Sequence, residues 1–154
     1  MFTFSTECSS VGARTFWIGS AQDAYERIQG AQPHIYEVLH HTQPLRALYV
    51  DLDAPAVSGP RIDQSVLDTV ERACRQGIAR ELPLAKVSNV RVFRASHSAK
   101  QSFHMHVALE PPHFIRGTEQ AGHLVRTYVA PAAPWCVDTK PYARKQNWRV
   151  LGAR

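Results

Sequence analysis

Asp51 and Asp53 follow the apolar run Leu48-Tyr49-Val50 and stand two positions apart. If that run is a β-strand, residues i and i+2 point the same way about 6–7 Å apart, so both carboxylates face one side. Hard oxygen donors in a pair suit Mg²⁺ or Mn²⁺. Two such ions about 3.5–4 Å apart are a common device for phosphoryl transfer, one activating the attacking oxygen and the other steadying the leaving one. Taken alone, the pair also fits two acids capping a turn ahead of Pro55.

A second set of polar residues lies in Lys100-Gln101-Ser102-Phe103-His104-Met105-His106. Strand alternation sends Ser102, His104 and His106 to one face and Phe103, Met105 and Val107 to the other. A lysine point charge, a hydroxyl and an imidazole in succession can bind the oxygens of a triphosphate. A third acid, Asp138, again follows an apolar pair, Cys136-Val137, and can complete a metal site from a neighbouring strand. Beyond it, Asn147-Trp148-Arg149 offers an amide and a forked guanidinium donor for phosphate.

These groups need elements to hold them. Ser20 is placed to cap a helix over Ala21–Gln29, with Asp23 in its first turn and Gly30 to stop it. His34–His40 reads as a strand, and Leu45–Leu52 as a more continuously apolar, central one. The prolines and glycine of 54–60 make a loop, after which Asp63 caps a helix through about Arg80. In that helix Val66, Leu67, Val70, Ala73, Cys74, Gly77 and Ile78 recur at helical spacing, which predicts one buried face. Val87–Arg94 and Ser102–Leu109 read as a hairpin. A helix over Thr118–Val129 and short strands at Cys136-Val137 and Trp148–Val150 complete a mixed α/β domain of the α+β class.

The 154 residues suit one domain with a real core, and 1–154 is expected to be a single unit. Hydrophobic content of 44% with no long uncharged apolar stretch argues against a membrane span and against disorder. No basic n-region precedes an apolar stretch at the start, so an intracellular setting is expected. Cys8, Cys74 and Cys136 are odd in number and widely spaced, which predicts buried thiols and no zinc. The net charge of +5 suits a polyanionic partner, and Lys140, Arg144, Lys145, Arg149 and Arg154 gather near Tyr142 and Trp148.

In order along the chain, these motifs resemble the archaeo-eukaryotic primase superfamily, most closely the branch of PrimPol and the herpesvirus-like viral primases. His34-Ile35-Tyr36-Glu37-Val38-Leu39 and Leu48-Tyr49-Val50-Asp51-Leu52-Asp53 resemble the family's tyrosine-glutamate strand and first acidic motif. Lys100-x-Ser102-x-His104 resembles its second motif. Val137-Asp138 with Tyr142-x-Arg144-x-x-Asn147-Trp148-Arg149 resembles its third, and the likeness spans roughly residues 34–151. The resemblance implies a catalytic core with an RRM-like antiparallel sheet flanked by helices, and a DNA primase and polymerase. Asp51, Asp53 and Asp138 would hold two Mg²⁺ or Mn²⁺ ions. Lys100, Ser102, His104 and Arg149 would contact the nucleotide, with Arg144, Asn147 and His106 as further candidates. The implied partners are a single-stranded DNA template, a primer 3′ end, nucleoside triphosphates, and a helicase or zinc module. PrimPol has glutamate where this chain has Asp53, and no zinc-binding module follows Arg154, so extension of a primer is the firmer expectation than its initiation. The chain is expected to be a catalytic core, whether complete or part of a longer protein.

Two other readings use the same residues. His104-Met105-His106 fits the metal-binding pair of HUH-type rolling-circle nucleases, with Tyr142 or Tyr128 as nucleophile, but leaves Lys100 and Ser102 without a role. A non-catalytic RRM-like nucleic-acid-binding module explains charge and aromatics. It calls for aromatics exposed on two adjacent central strands, which the sequence does not single out.

Overall fold

The computed structural model describes residues 2–7, 14–29 and 35–142, together with the backbone of 145–149. The chain falls into two compact units, 1–40 with 145–154, and 41–144.

The first unit is a four-stranded antiparallel sheet with one helix. Its strands are β1 (Phe2–Glu7), β2 (Arg14–Gly19), β3 (Ile35–His40) and β10 (Lys145–Arg149), ordered β10-β3-β1-β2. Helix α1 (Ala21–Gln29) starts at a reciprocal cap: Asp23 N–H donates to Ser20 Oγ at 3.1 Å, and Ser20 N–H donates to Asp23 Oδ2 at 2.6 Å. Phe4 and Ala24 are buried, with Trp17 and Ile28 packed against them, and Phe4 and Trp17 stack at 4.4 Å. Glu37 is held in this sheet, and burial pushes its carboxyl above the usual glutamate value.

The second unit carries most of the residues of interest. Its main elements are β5 (Ala47–Pro55), α2 (Gln64–Glu81), β6 (Val87–Arg94), β7 (Lys100–Leu109), α3 (Gly117–Leu124) and β9 (Val137–Asp138). The sheet order is β6-β7-β5-β9, antiparallel throughout. That is a β-α-β-β-α-β chain with its first and third strands at the centre, the split arrangement of RRM-like and ferredoxin-like sheets. A short pair, β4 (Pro44–Leu45) with β8 (Ile115–Arg116), stands apart from it. Leu45 therefore belongs to a separate strand, and the central strand begins at Ala47 and continues past Leu52 to Pro55.

Alternation decides which face of this sheet is apolar. Leu48, Val50 and Leu52 of β5 and Met105 and Val107 of β7 are all fully buried. The residues between them, Tyr49, Asp51, Asp53, His104 and His106, are only half-buried and share the opposite face. The helices supply the matching apolar surface. Asp63 caps α2 by accepting the Val66 N–H, and Leu67, Val70, Ala73, Cys74, Gly77 and Ile78 make its buried side. Only Val66 of the expected stripe falls outside this buried set. Helix α3 runs on through a π-helical turn, Val125–Val129, and a 3₁₀ turn, Ala130–Ala132. Gly117, with φ of +66°, opens α3 where a Cβ would run into the carbonyl of His41. Cys74 and Cys136 are buried free thiols, and Cys8 lies outside the described residues. Among the described residues, no helix is long and apolar enough to cross a membrane.

Candidate functional site

The register of three strands gathers the acids. Asp51 sits at the centre of β5 with His104 of β7 directly opposite on one side and Asp138 of β9 on the other; Asp53 lies opposite Ser102. The Asp53 N–H donates to the Cys136 carbonyl at 2.7 Å and fixes β9 beside the acidic strand. Carboxylate oxygens of Asp51, Asp53 and Asp138 lie within 4.8 Å of one another, the only such convergence of ligating side chains among the described residues.

Each acid has a different neighbour. Asp53 Oδ2 pairs with Lys100 Nζ at 2.7 Å. Asp138 Oδ1 accepts the Lys140 N–H at 2.9 Å, a turn that fixes its side chain. His104 Nε2 stands 3.5 Å from Asp51 Oδ1, near enough for charge attraction when the ring is protonated, and makes no hydrogen bond to it. Asp51 Oδ1 and Asp53 Oδ1 are both buried without a hydrogen-bond donor among the described residues. Burial pushes the Asp51 carboxyl up to about 7, the Asp53 and Asp138 charges add to the rise, and Lys100 and the Leu52 N–H oppose it. Two desolvated carboxylate oxygens with no donor, in a three-carboxylate group, are the donor set a hard divalent cation satisfies.

Lys100, Ser102 and His104 follow along β7, with Ser102 buried beside Asp53. The Ser96 hydroxyl braces this stretch: it accepts the Ser102 N–H at 3.0 Å and donates to the Ser102 carbonyl at 3.2 Å. His106 has different surroundings. Its ring meets Tyr49 at 4.5 Å and Phe93 at 4.9 Å, both edge-on. Burial lowers its pKa to about 4, with the His104 and Arg91 charges adding to the effect, so it is neutral at pH 7. A neutral, packed imidazole has no charge to offer a phosphate.

The aromatic contacts were not singled out by the sequence, although alternation already places Tyr49 on the face of Asp51. The structure sets Tyr49 and His106 side by side on the two central strands. Tyr128 donates its hydroxyl to Glu81 Oε1 at 2.6 Å, and this bond holds its pKa above the usual phenol value. Tyr142 donates to the Tyr49 carbonyl, and burial raises its pKa well above the usual value. Arg144 and the side chains of Asn147 and Arg149 lie outside the described residues; Asn147 and Arg149 fall in strand β10 of the first unit.

No family model matches this chain, and no curated protein matches it.

Proposed function

We propose that this chain is a nucleotidyltransferase, a DNA primase-polymerase that joins an incoming nucleotide to a primer 3′-hydroxyl on a single-stranded DNA template. The observation that carries this reading is the convergence of Asp51, Asp53 and Asp138 beside the Lys100-Ser102-His104 face. The ordered motif resemblance to archaeo-eukaryotic primases supports it further. Asp51, Asp53 and Asp138 are the residues to hold Mg²⁺ or Mn²⁺, which when bound supplies Lewis acidity for the attacking hydroxyl and for the phosphate under attack.

The chain's own groups then act by position and charge. Lys100 offers a point charge, Ser102 a hydroxyl and His104 an imidazole along one strand, spaced to hold successive phosphate oxygens while the hydroxyl lines up for displacement. Arg149, with Arg144 and Asn147, is assigned to the nucleotide by the resemblance alone. Proton release from Asp51 is part of metal binding, because a carboxyl lifted to about 7 must be ionised to act as a ligand.

The test is incubation with a single-stranded template, Mn²⁺ and labelled nucleotides, with and without a primer. Primer extension that disappears in Asp51→Ala, with template binding retained, is the expected result; full extension by Asp51→Ala refutes the assignment. The Tyr49–His106–Phe93 group favours one second reading, a binding module that stacks bases on an RRM-like sheet. That reading requires template binding indifferent to divalent metal and no product in either arm. The nuclease reading loses support because both candidate tyrosine hydroxyls are engaged and raised in pKa.

A further inference from the structure

Lys100 belongs to two surroundings at once. Its Nζ is 2.7 Å from Asp53 Oδ2, and its side chain also lines a cleft of about 500 Å³ between the β6–β7 turn and the loop entering α2. Arg61 enters this cleft from the loop, Arg94 from the end of β6 and His97 from the turn. The one acid in the lining, Asp63, already has Oδ1 committed to the Val66 N–H. Neither Arg61 nor Arg94 has an ion-pair partner among the described residues.

The walls are braced by main-chain bonds. His97 and Lys100 exchange backbone hydrogen bonds of 2.9 and 3.2 Å, so their side chains stand next to each other across a tight turn. Gln101 accepts the Ile62 N–H at 2.9 Å and donates to the carbonyls of Pro55 and Pro60 at 2.9 and 3.0 Å. The bonds to Ile62 and Pro60 tie the loop that carries Arg61 to the strand that carries Lys100, and the bond to Pro55 anchors both to the end of β5. Two guanidinium forks and an ammonium around one concave volume suit a compact, highly charged anion. A nucleic-acid backbone, by contrast, spreads its charge along a stripe.

We propose that this cleft takes the terminal phosphates of a polyphosphate, of the class carried by nucleoside triphosphates. Arg61 and Arg94 are its anchors, and Lys100 is a donor shared with Asp53. Anything that neutralises Asp53 frees Lys100 for the cleft, because one ammonium cannot fully serve an acid and a phosphate at once. The link to nucleotide chemistry rests on the function proposed above; the anion site itself stands without it.

The experiment is calorimetric titration of the full chain with sodium tripolyphosphate in EDTA, so that no metal takes part. Arg61→Ala and Arg94→Ala are expected to weaken binding by about tenfold each, as for a lost charge-assisted hydrogen bond, while Arg94→Lys, which keeps the charge and loses the fork, falls between Arg94→Ala and wild type. Asp53→Asn is expected to tighten binding, and Asp53→Asn with Lys100→Ala to lose that gain. Unchanged affinity in both arginine variants, with folding verified by circular dichroism, overturns the proposal. It is equally overturned if those variants lose affinity for a single-stranded oligonucleotide without terminal phosphates yet keep it for tripolyphosphate. Since no metal or primer is present, a failure here leaves the primer-extension result standing, and the reverse also holds.

Discussion

Asp51→Asn is expected to stabilise the metal-free protein and at the same time remove its response to Mg²⁺. Burial lifts the Asp51 carboxyl from 3.8 to about 7, and a rise of about three units corresponds to roughly 4 kcal/mol against the ionised form. The side chain is 22% exposed, so solvent screening brings the usable figure to about 1–3 kcal/mol. Because the folded value lies above the unfolded one, the contribution of this group to stability is fully present below about pH 4. It is lost as pH rises towards 7 and changes little beyond that. In EDTA at pH 8 the asparagine variant should therefore melt about 2–12 °C above wild type, at about 2–4 °C per kcal/mol for a chain of this size. Near pH 4 the two should melt together. Addition of Mg²⁺ should raise the wild-type melting temperature through preferential binding to the folded state and leave the variant unmoved. The assay is differential scanning fluorimetry across pH 4–8 with and without Mg²⁺. A variant less stable than wild type at pH 8 in EDTA refutes the claim that Asp51 bears an unrelieved buried charge, and an equal Mg²⁺ response refutes its role as a ligand.

Lys100→Met removes a cation that holds the Asp51 carboxyl down, so the Asp51 titration should move above 7; carbon-13 NMR of labelled aspartates reads it directly, and an unmoved midpoint denies the coupling. Gly117→Ala forces a side chain into a positive-φ position against the His41 carbonyl and should cost about 3 kcal/mol or more by urea denaturation. A loss under about 1 kcal/mol contradicts that geometry. Gln101→Ala removes three hydrogen bonds, two to the loop before α2 and one to the end of β5, and should cost about 1–3 kcal/mol, with faster hydrogen exchange at the Ile62 amide. Unchanged exchange there means that the loop is held by something else.

The parts of this molecule that were legible in its sequence are those in which hydropathy and burial share a period. Helix α2 announced itself through a capping aspartate and an apolar stripe, and β7 through strict alternation between Ser102-x-His104-x-His106 and Met105-x-Val107. β2 hid for the opposite reason. Its Phe16 is 58% and its Ile18 69% exposed, so the apolar residues do not mark an inside face. Leu45 misled because it is buried in a separate two-residue strand, where apolar continuity with Leu48 carries no information about pairing.

Within the site, residue types revealed which acids can bind a metal but not how their burdens differ. Nothing local places Asp138 opposite Asp51 or Lys100 opposite Pro55, since both registers are set by segments far apart in the chain. Yet those registers decide the chemistry. Asp53 acquires a cation at 2.7 Å, whereas Asp51 is flanked by two acids and a histidine that is charged only on protonation. Arg94 and His97 share the β6–β7 connection with Lys100, whereas Arg61 arrives from the loop before α2, so no spacing rule could add it to their cleft. The same pairing that leaves Asp51 uncompensated puts Lys100 within reach of both acid and cleft. A substitution that moves the β5–β7 register by two residues would keep every side chain on its face and still separate Lys100 from Asp53.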